Sequence, residues 1–253
     1  MDGCPVWRRA RRLRLARRIA AVVVLAVTAW AGTACTAATS GPVPAEHGTP
    51  PVTVLKRGAD NGNGDIFIAP TGGGGAAGPE IITSTGKVVW FHAVPAGEVA
   101  TDFRTQTYRG RPVLTWFQGG GPGGGTDYIY NDHYRRIAEV RAGDGDATDF
   151  HEFLITPWNT ALILADTVAT ANLTSMGGPA DQKVVDGIVQ EIDIGTGKVL
   201  FQWDSAGHVP YRDSHVPLPG SAGVPWDWFH INAVHLDTDG NLLINSRYTW
   251  TTY

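Results

Sequence analysis

The chain has few cysteines and few methionines, little charge and no helical rhythm. Cys4 and Cys35 are the only two cysteines in 253 residues. Cys4 lies in a leader-like segment, so a mature chain would hold at most one thiol and no internal disulfide. Its stability must come from packing. Charged side chains make up 17% of the residues and the formal net charge is −4. That balance excludes a general affinity for nucleic acid, which needs a basic surface on the folded part. From Val52 onward there is no convincing 3.6-residue periodicity, which excludes a helical bundle.

Several chemical signatures are absent as well. No Gly-x-Ser-x-Gly elbow marks a serine hydrolase. The glycine run Gly119–Gly125 (GGGPGGG) is not followed by the lysine of a phosphate-binding loop. His208 and His215, near Asp204 and Asp213, lack a tight His-x-His or His-Glu-x-x-His spacing, so this segment reads as a surface loop, with no metal site expected. No cofactor motif is present.

What is present points to a globular β protein. Hydrophobic residues reach 43%, with 32 glycines and 9 tryptophans. Many turns with many aromatics suit an all-β fold. Charge is unevenly placed: seven arginines and no acid lie between Arg8 and Arg18, and without them the net charge falls to −11.

Residues 1–35 read as an export address. The arginine-rich segment is followed by the uncharged run Ile19–Ala31 and by the small residues Gly32, Thr33 and Ala34 before Cys35. This is the layout of a secretory signal, and the apolar run is short for a membrane span. A retained membrane anchor is the alternative. Cys35 sits where a bacterial lipoprotein carries its lipid, although Gly32 replaces the usual aliphatic residue. Residues 36–52, rich in Thr, Ala, Gly, Ser and Pro, suit a flexible linker. The expected destination is extracellular or in the cell envelope, with a lipid anchor at Cys35 on the outer face of the cytoplasmic membrane as one form. Arg14 occupies a position where twin-arginine export expects a large apolar residue, so Sec export fits better.

Residues 53–253 are a series of short β-rich runs separated by turn signals, which implies a sandwich, barrel or propeller. Internal similarity selects the propeller. Glu80–Trp90 (EIITSTGKVVW) and Glu191–Trp203 (EIDIGTGKVLFQW) share a Thr-Gly-Lys-Val turn and a closing Trp. His151–Ala165 and His230–Ser246 each begin at His, run through a strand, turn, and enter a second apolar strand. Alternating inner and outer hairpins build propeller blades, which need neighbours to bury both faces. Blades are expected near 55–100, 101–145 and 150–205, with another beginning near Trp226: an incomplete β-propeller of about three and a half blades. Val168–Asp186 reads as a long polar loop able to cover a site.

Three segments carry a more specific resemblance. They are Trp226–Val234 (WDWFHINAV) with Asp239–Arg247 (DGNLLINSR), Asp102–Trp116 (DFRTQTYRGRPVLTW) and His151–Ile155 (HEFLI). Together they resemble the bacterial arylsulfotransferase family, of the actinobacterial type, over most of the chain after Leu55. The resemblance implies a six-bladed propeller with its site on the central channel. It implies transfer of a sulfuryl group from a phenolic sulfate ester to another phenol through a transiently sulfated histidine, without a nucleotide donor. His230 and Asn232 match the family's His-x-Asn, Arg247 the arginine on the return strand, and His151 a histidine on an earlier inner strand. His151, His230 and Arg247 are then expected to be catalytic, with Asn232 and Arg247 binding the sulfuryl oxygens. The chemistry suits these residue types, because a sulfuryl group in flight carries negative charge that cations and hydrogen-bond donors stabilise, while imidazoles attack sulfur and move protons. On a regular strand His230 and Asn232 would face one side. The histidine that takes the sulfuryl group lies downstream of this motif in the family and has no match up to Tyr253, so the chain reads as the N-terminal part of such an enzyme.

Plainer roles compete with these. His230 can hold blades together through the backbone. Arg247 can stack on Trp226 or Trp228, or pair with Asp227. His151 can be a turn residue. A non-catalytic exported propeller that binds a ligand or protein is the rival function.

Overall fold

The computed structural model describes residues 48–253 except 57, 59–61, 63, 72–75 and 121–123. The signal reading of 1–35, the lipidation of Cys35 and the linker up to residue 47 fall outside the described residues. Among those described, strands dominate and no helix is long and apolar enough to cross a membrane.

The strands form four antiparallel sheets in chain order. The first contains β1 (Ile66–Ile68), β2 (Glu80–Ile82) and β3 (Val88–Phe91). The second contains β4 (Val99–Tyr108), β5 (Arg111–Gly119), β6 (Gly125–Tyr130) and β7 (Arg136–Val140). The third runs β8 (Ala147–Ile155), β9 (Thr160–Ala171), β10 (Gln182–Asp193) and β11 (Val199–Asp204), with the short β12 (Trp226–Asp227) added parallel to β10. The fourth contains β13 (Ile231–Leu236), β14 (Leu242–Ser246) and β15 (Thr251–Thr252). Apart from β12, every strand pairs antiparallel with a sequence neighbour in its sheet. β4 packs beside β8, and β8 beside β13, so the first strands of successive sheets converge. The chain is all-β, an incomplete β-propeller.

Packing explains the order. Three apolar layers fill the spaces between neighbouring sheets. Ile81 and Trp90 meet Leu114 and Trp116 between the first and second. Val113 and Ile129 meet Phe153, Ile163 and Ile192 between the second and third. Leu162, Leu164 and Val189 meet Trp228, Phe229, Ile231 and Ile244 between the third and fourth. β9 shows how the sequence encodes this. Ala161 and Ile163 face one layer while Leu162 and Leu164 face the other, so both faces are buried and the run is continuously apolar. The Trp that closes each Thr-Gly-Lys-Val hairpin does pack on the next sheet. Trp90 lies 6.1 Å from Trp116, and Trp203 lies 5.8 Å from Phe229. The turns of those hairpins place Gly86 and Gly197 at φ 81° and 72°, a region open to glycine.

Side chains also tie the first strands together. The Asp102 carboxylate accepts a hydrogen bond from Phe153 N (2.9 Å), and Glu152 accepts one from Val234 N (2.8 Å). Gln106 donates to Phe153 O and accepts from Ile155 N.

The expected long loop Val168–Asp186 is instead mostly strand. β9 and β10 stay paired from Thr160↔Asp193 to Ala171↔Gln182, and only residues 172–181 connect them. Val168 is 59% exposed, but the far end of the hairpin is packed: Ala171, Leu173 and Val184 are buried in the same layer as Trp226 and Trp228. Between these buried ends the apolar run that marks a buried strand gives way to Asp166-Thr167-Val168-Ala169-Thr170, which reads as loop.

Candidate functional site

The site grows from irregularities in the first strands. β4 loses register with β5 between Thr101 and Arg104, β8 with β9 between Thr148 and Phe153, and β13 with β14 between Ile231 and Ala233. Such bulges re-aim side chains and gather near functional sites. Asp102 and His230 both adopt φ 51°, in the left-handed region, which costs a non-glycine residue about 1–3 kcal/mol. His230 therefore precedes β13 rather than lying within it, and Asn232 is the extra residue of the bulge. The alternation expected to aim both side chains the same way does not hold here, because that rule needs an unbroken ladder.

His151 and His230 come together. Their rings meet edge to face, 5.2 Å between centroids at 73°. Each is held by a carboxylate. Asp149 Oδ1 accepts from His151 Nδ1–H (2.8 Å) and also from His151 backbone N–H (2.9 Å). Asp227 Oδ2 accepts from His230 Nδ1–H (2.5 Å). Phe150 stacks on His151 at 4.0 Å and Tyr248 lies against His230 at 4.8 Å. Nε2 of His230 is buried and meets no hydrogen-bond partner in the described structure.

The segment that carries His230 is clamped. Phe229 O accepts from Ser246 Oγ–H (2.5 Å) and from Tyr248 N–H (3.2 Å), and His230 O accepts from Arg247 N–H (3.0 Å). Gly187 on β10 permits the close approach: a Cβ there would lie 2.9 Å from Ile231 Cβ and 3.1 Å from a ring carbon of Phe229.

Arg247 is exposed, with its guanidinium 5.5 Å from the Tyr248 ring centre. It does not stack on the tryptophans, whose rings are buried against Tyr211. Nor does any ion pair join Arg247 to Asp227 among the described residues; that carboxylate is taken by His230. The positive charge of Arg247 is nevertheless felt at His151. Asn232 is half-buried beside these groups in sequence, at the bulge.

Acidic groups surround the imidazoles. His151 titrates above an ordinary imidazole, chiefly because of its hydrogen bond to Asp149, with Arg247 opposing. Asp166, on β9 opposite Ala147 and Gly187, is pushed up to about 7 by burial and by the Asp149 and Asp227 carboxylates; the two histidines oppose the shift. Burial raises Asp102 to about 6 despite its pairing with Arg104, and raises the fully buried Asp127 as well. Two imidazoles, an arginine and carboxyls that hold protons near neutrality form a site able to bind an anionic group and move protons around it.

Sequence reasoning found the histidines but not their carboxylates. The signal was there. Ala-Thr-Asp-Phe occurs twice, at 100–103 before Arg104 and at 147–150 before His151, and Asp227-Trp228-Phe229-His230 is a near copy. Other described histidines have other neighbours. His208 stacks on Trp203 and His215 on Trp250, while His133 pairs with Asp132 at the surface and His235 is exposed on β13. Among the described residues no group of three or more His, Cys, Asp or Glu side chains is arranged to hold a metal ion.

No curated protein matches the chain. The Arylsulfotransferase (ASST) family matches residues 104–253. That match runs from within β4 to Tyr253, takes in both histidines and their carboxylates, and covers more than half of the sequence: the chain belongs to the Arylsulfotransferase (ASST) family.

Proposed function

We propose that the protein transfers a sulfuryl group from aryl sulfate esters to phenols at the site built around His151 and His230. The observation that carries this reading is the edge-to-face pair of imidazoles, each fixed by its own aspartate, beside an exposed arginine. Sulfuryl transfer asks for positive charge against the sulfur-bound oxygens and for a proton at the departing phenol oxygen. Arg247 and the imidazoles supply both, and Asn232 adds an amide donor at the β13 bulge. The covalent carrier is a sulfohistidine formed on a histidine other than these two, as the family resemblance implies.

Export and lipid attachment at Cys35 belong to the same proposal and rest on the sequence of residues 1–35. Mass analysis of the mature N-terminus tests them: an acylated Cys35 is expected, and an intact leader ending in a free thiol would overturn lipidation.

For the activity, the full-length protein is mixed with 4-nitrophenyl sulfate and phenol. Release of nitrophenol with stoichiometric formation of phenyl sulfate is expected. Absence of phenyl sulfate overturns the proposed transfer.

A further inference from the structure

The two histidine–aspartate pairs are built alike but sit in unlike surroundings. Asp149 is only 4% exposed and is fixed by two N–H donors of His151. Asp227 is 37% exposed at its side chain and is open to water. A buried carboxylate needs a cation beside it, whereas a hydrated one does not. The second sheet shows what this device holds when its partner cannot titrate. There the same Ala-Thr-Asp-Phe run is followed by Arg104, whose permanent charge pairs with Asp102. His151 occupies the place of Arg104. His230 faces the opposite constraint. Its Nε2 is sealed from solvent with no acceptor in reach, so a proton on that atom would be a buried, unpaired donor.

We propose that the Asp149–His151 pair carries the site's proton as an imidazolium, while the Asp227–His230 pair stays neutral with its one proton on Nδ1. Asp149 and Asp227 are thus positioning residues that give two adjacent histidines different proton states. The inference rests on reading this site as the place of sulfuryl transfer. The groups that face the two rings are Asp149 from β8, Asp166 from β9, Asp227 from β12, and Arg247 and Tyr248 after β14. When the donor ester opens, the carrier histidine's nitrogen bonds to sulfur, the bond between sulfur and the aryl oxygen breaks, and its electron pair stays on oxygen. That oxygen takes the proton from His151. When a second phenol enters, its proton goes to the now neutral His151 and its oxygen bonds to sulfur, while the sulfur–nitrogen bond of the carrier breaks with its electron pair left on nitrogen. One proton leaves His151 and one returns, and the site is reset.

Ring nitrogens report this directly in the protein labelled with 15N-histidine, near neutral pH and without any substrate. His151→Gln and His230→Gln assign the two sets of signals. The expected result is His151 protonated on both nitrogens and His230 protonated on Nδ1 alone, the reverse of the tautomer a free imidazole prefers in water. Asp149→Asn is expected to lower the titration midpoint of His151 by about one pH unit or more. Asp149 is buried, so that variant is paired with the exposed Asp227→Asn, which is expected to shift His230 toward the Nε2–H tautomer and to lower kcat with KM held. A His230 that carries its proton on Nε2, or a His151 that is neutral near pH 7, overturns the proposal. These spectra do not depend on turnover. If they come out as expected and no phenyl sulfate forms, the sulfuryl-transfer reading falls and the proton assignment stands.

Discussion

His151 and His230 belong to different sheets, yet their rings meet edge to face at 5.2 Å. The contact exists because β8 and β13 both break register at the same end of neighbouring sheets, and because Gly187 lets the segment before β13 close in. The site is a product of blade packing as much as of the histidines themselves.

Gly187→Val tests that dependence. The new side chain would enter space held by Ile231 and Phe229. A loss of about 1–3 kcal/mol in stability is expected from overpacking, with aryl sulfate turnover falling further than stability alone explains. Urea unfolding and kinetics on one preparation check it. An unchanged rate would show that the close approach does not set His230.

Arg247→Ala removes a cation without touching the core. Its backbone bond to His230 O persists, so the fold is expected to stay intact. A charge-assisted contact to a sulfuryl oxygen contributes about 1.5–3 kcal/mol, so kcat/KM is expected to fall by about 10–150-fold. The same variant should raise the titration midpoint of His151, since Arg247 opposes its protonation.

Stability should fall as pH rises, the reverse of common acid denaturation. Asp166 is raised to about 7 and Asp102 to about 6. A carboxyl whose folded value lies above its unfolded value binds its proton more tightly when folded. Its penalty is absent below the unfolded value, grows as pH rises toward the folded value, and is complete above it. Unfolding free energy is therefore expected to decline between about pH 4 and pH 7 through these two groups, by up to about 7 kcal/mol. Asp166→Asn should flatten that slope and stabilise the protein on the alkaline side. Urea titrations at acid and mildly alkaline pH decide it; a wild-type slope in the variant would remove Asp166 as its source.

Trp116→Ala addresses the layer between the first and second sheets. Trp116 is fully buried and touches Trp90, Phe103, Tyr128 and Tyr130. A loss of about 3–5 kcal/mol is expected, read as a lower midpoint in thermal unfolding. The second and third sheets share a separate layer, so the contact between His151 and His230 should survive in the fraction that stays folded.

Much of the sheet order was legible, because the first and third sheets repeat one turn and its closing aromatic. The Thr-Gly-Lys-Val hairpins and their tryptophans placed the outer strands, and the continuously apolar Ala161–Ala165 placed a strand buried on both faces. The outer half of the β9–β10 hairpin was not legible, since Asp166–Thr170 breaks the apolar run before Ala171 and Val184 return to the core. At the site, residue type exposed His151 and His230, but alternation misjudged Asn232: a bulge and a left-handed residue cancel the strand period. Asp149 and Asp227 could have been found from the repeated Asp-Phe pattern. Asp166 could not, because only the folded sheet brings it within electrostatic reach of both histidines.

The central claim is that this pair of histidines serves sulfuryl transfer between phenols. The most direct measurement is phenyl sulfate formation from 4-nitrophenyl sulfate and phenol by the full-length protein, compared with His151→Gln and His230→Gln. Each substitution is expected to lower the rate by about 10²–10⁴-fold with the fold retained. Equal rates in the parent and both variants, or no phenyl sulfate from any of them, would contradict it.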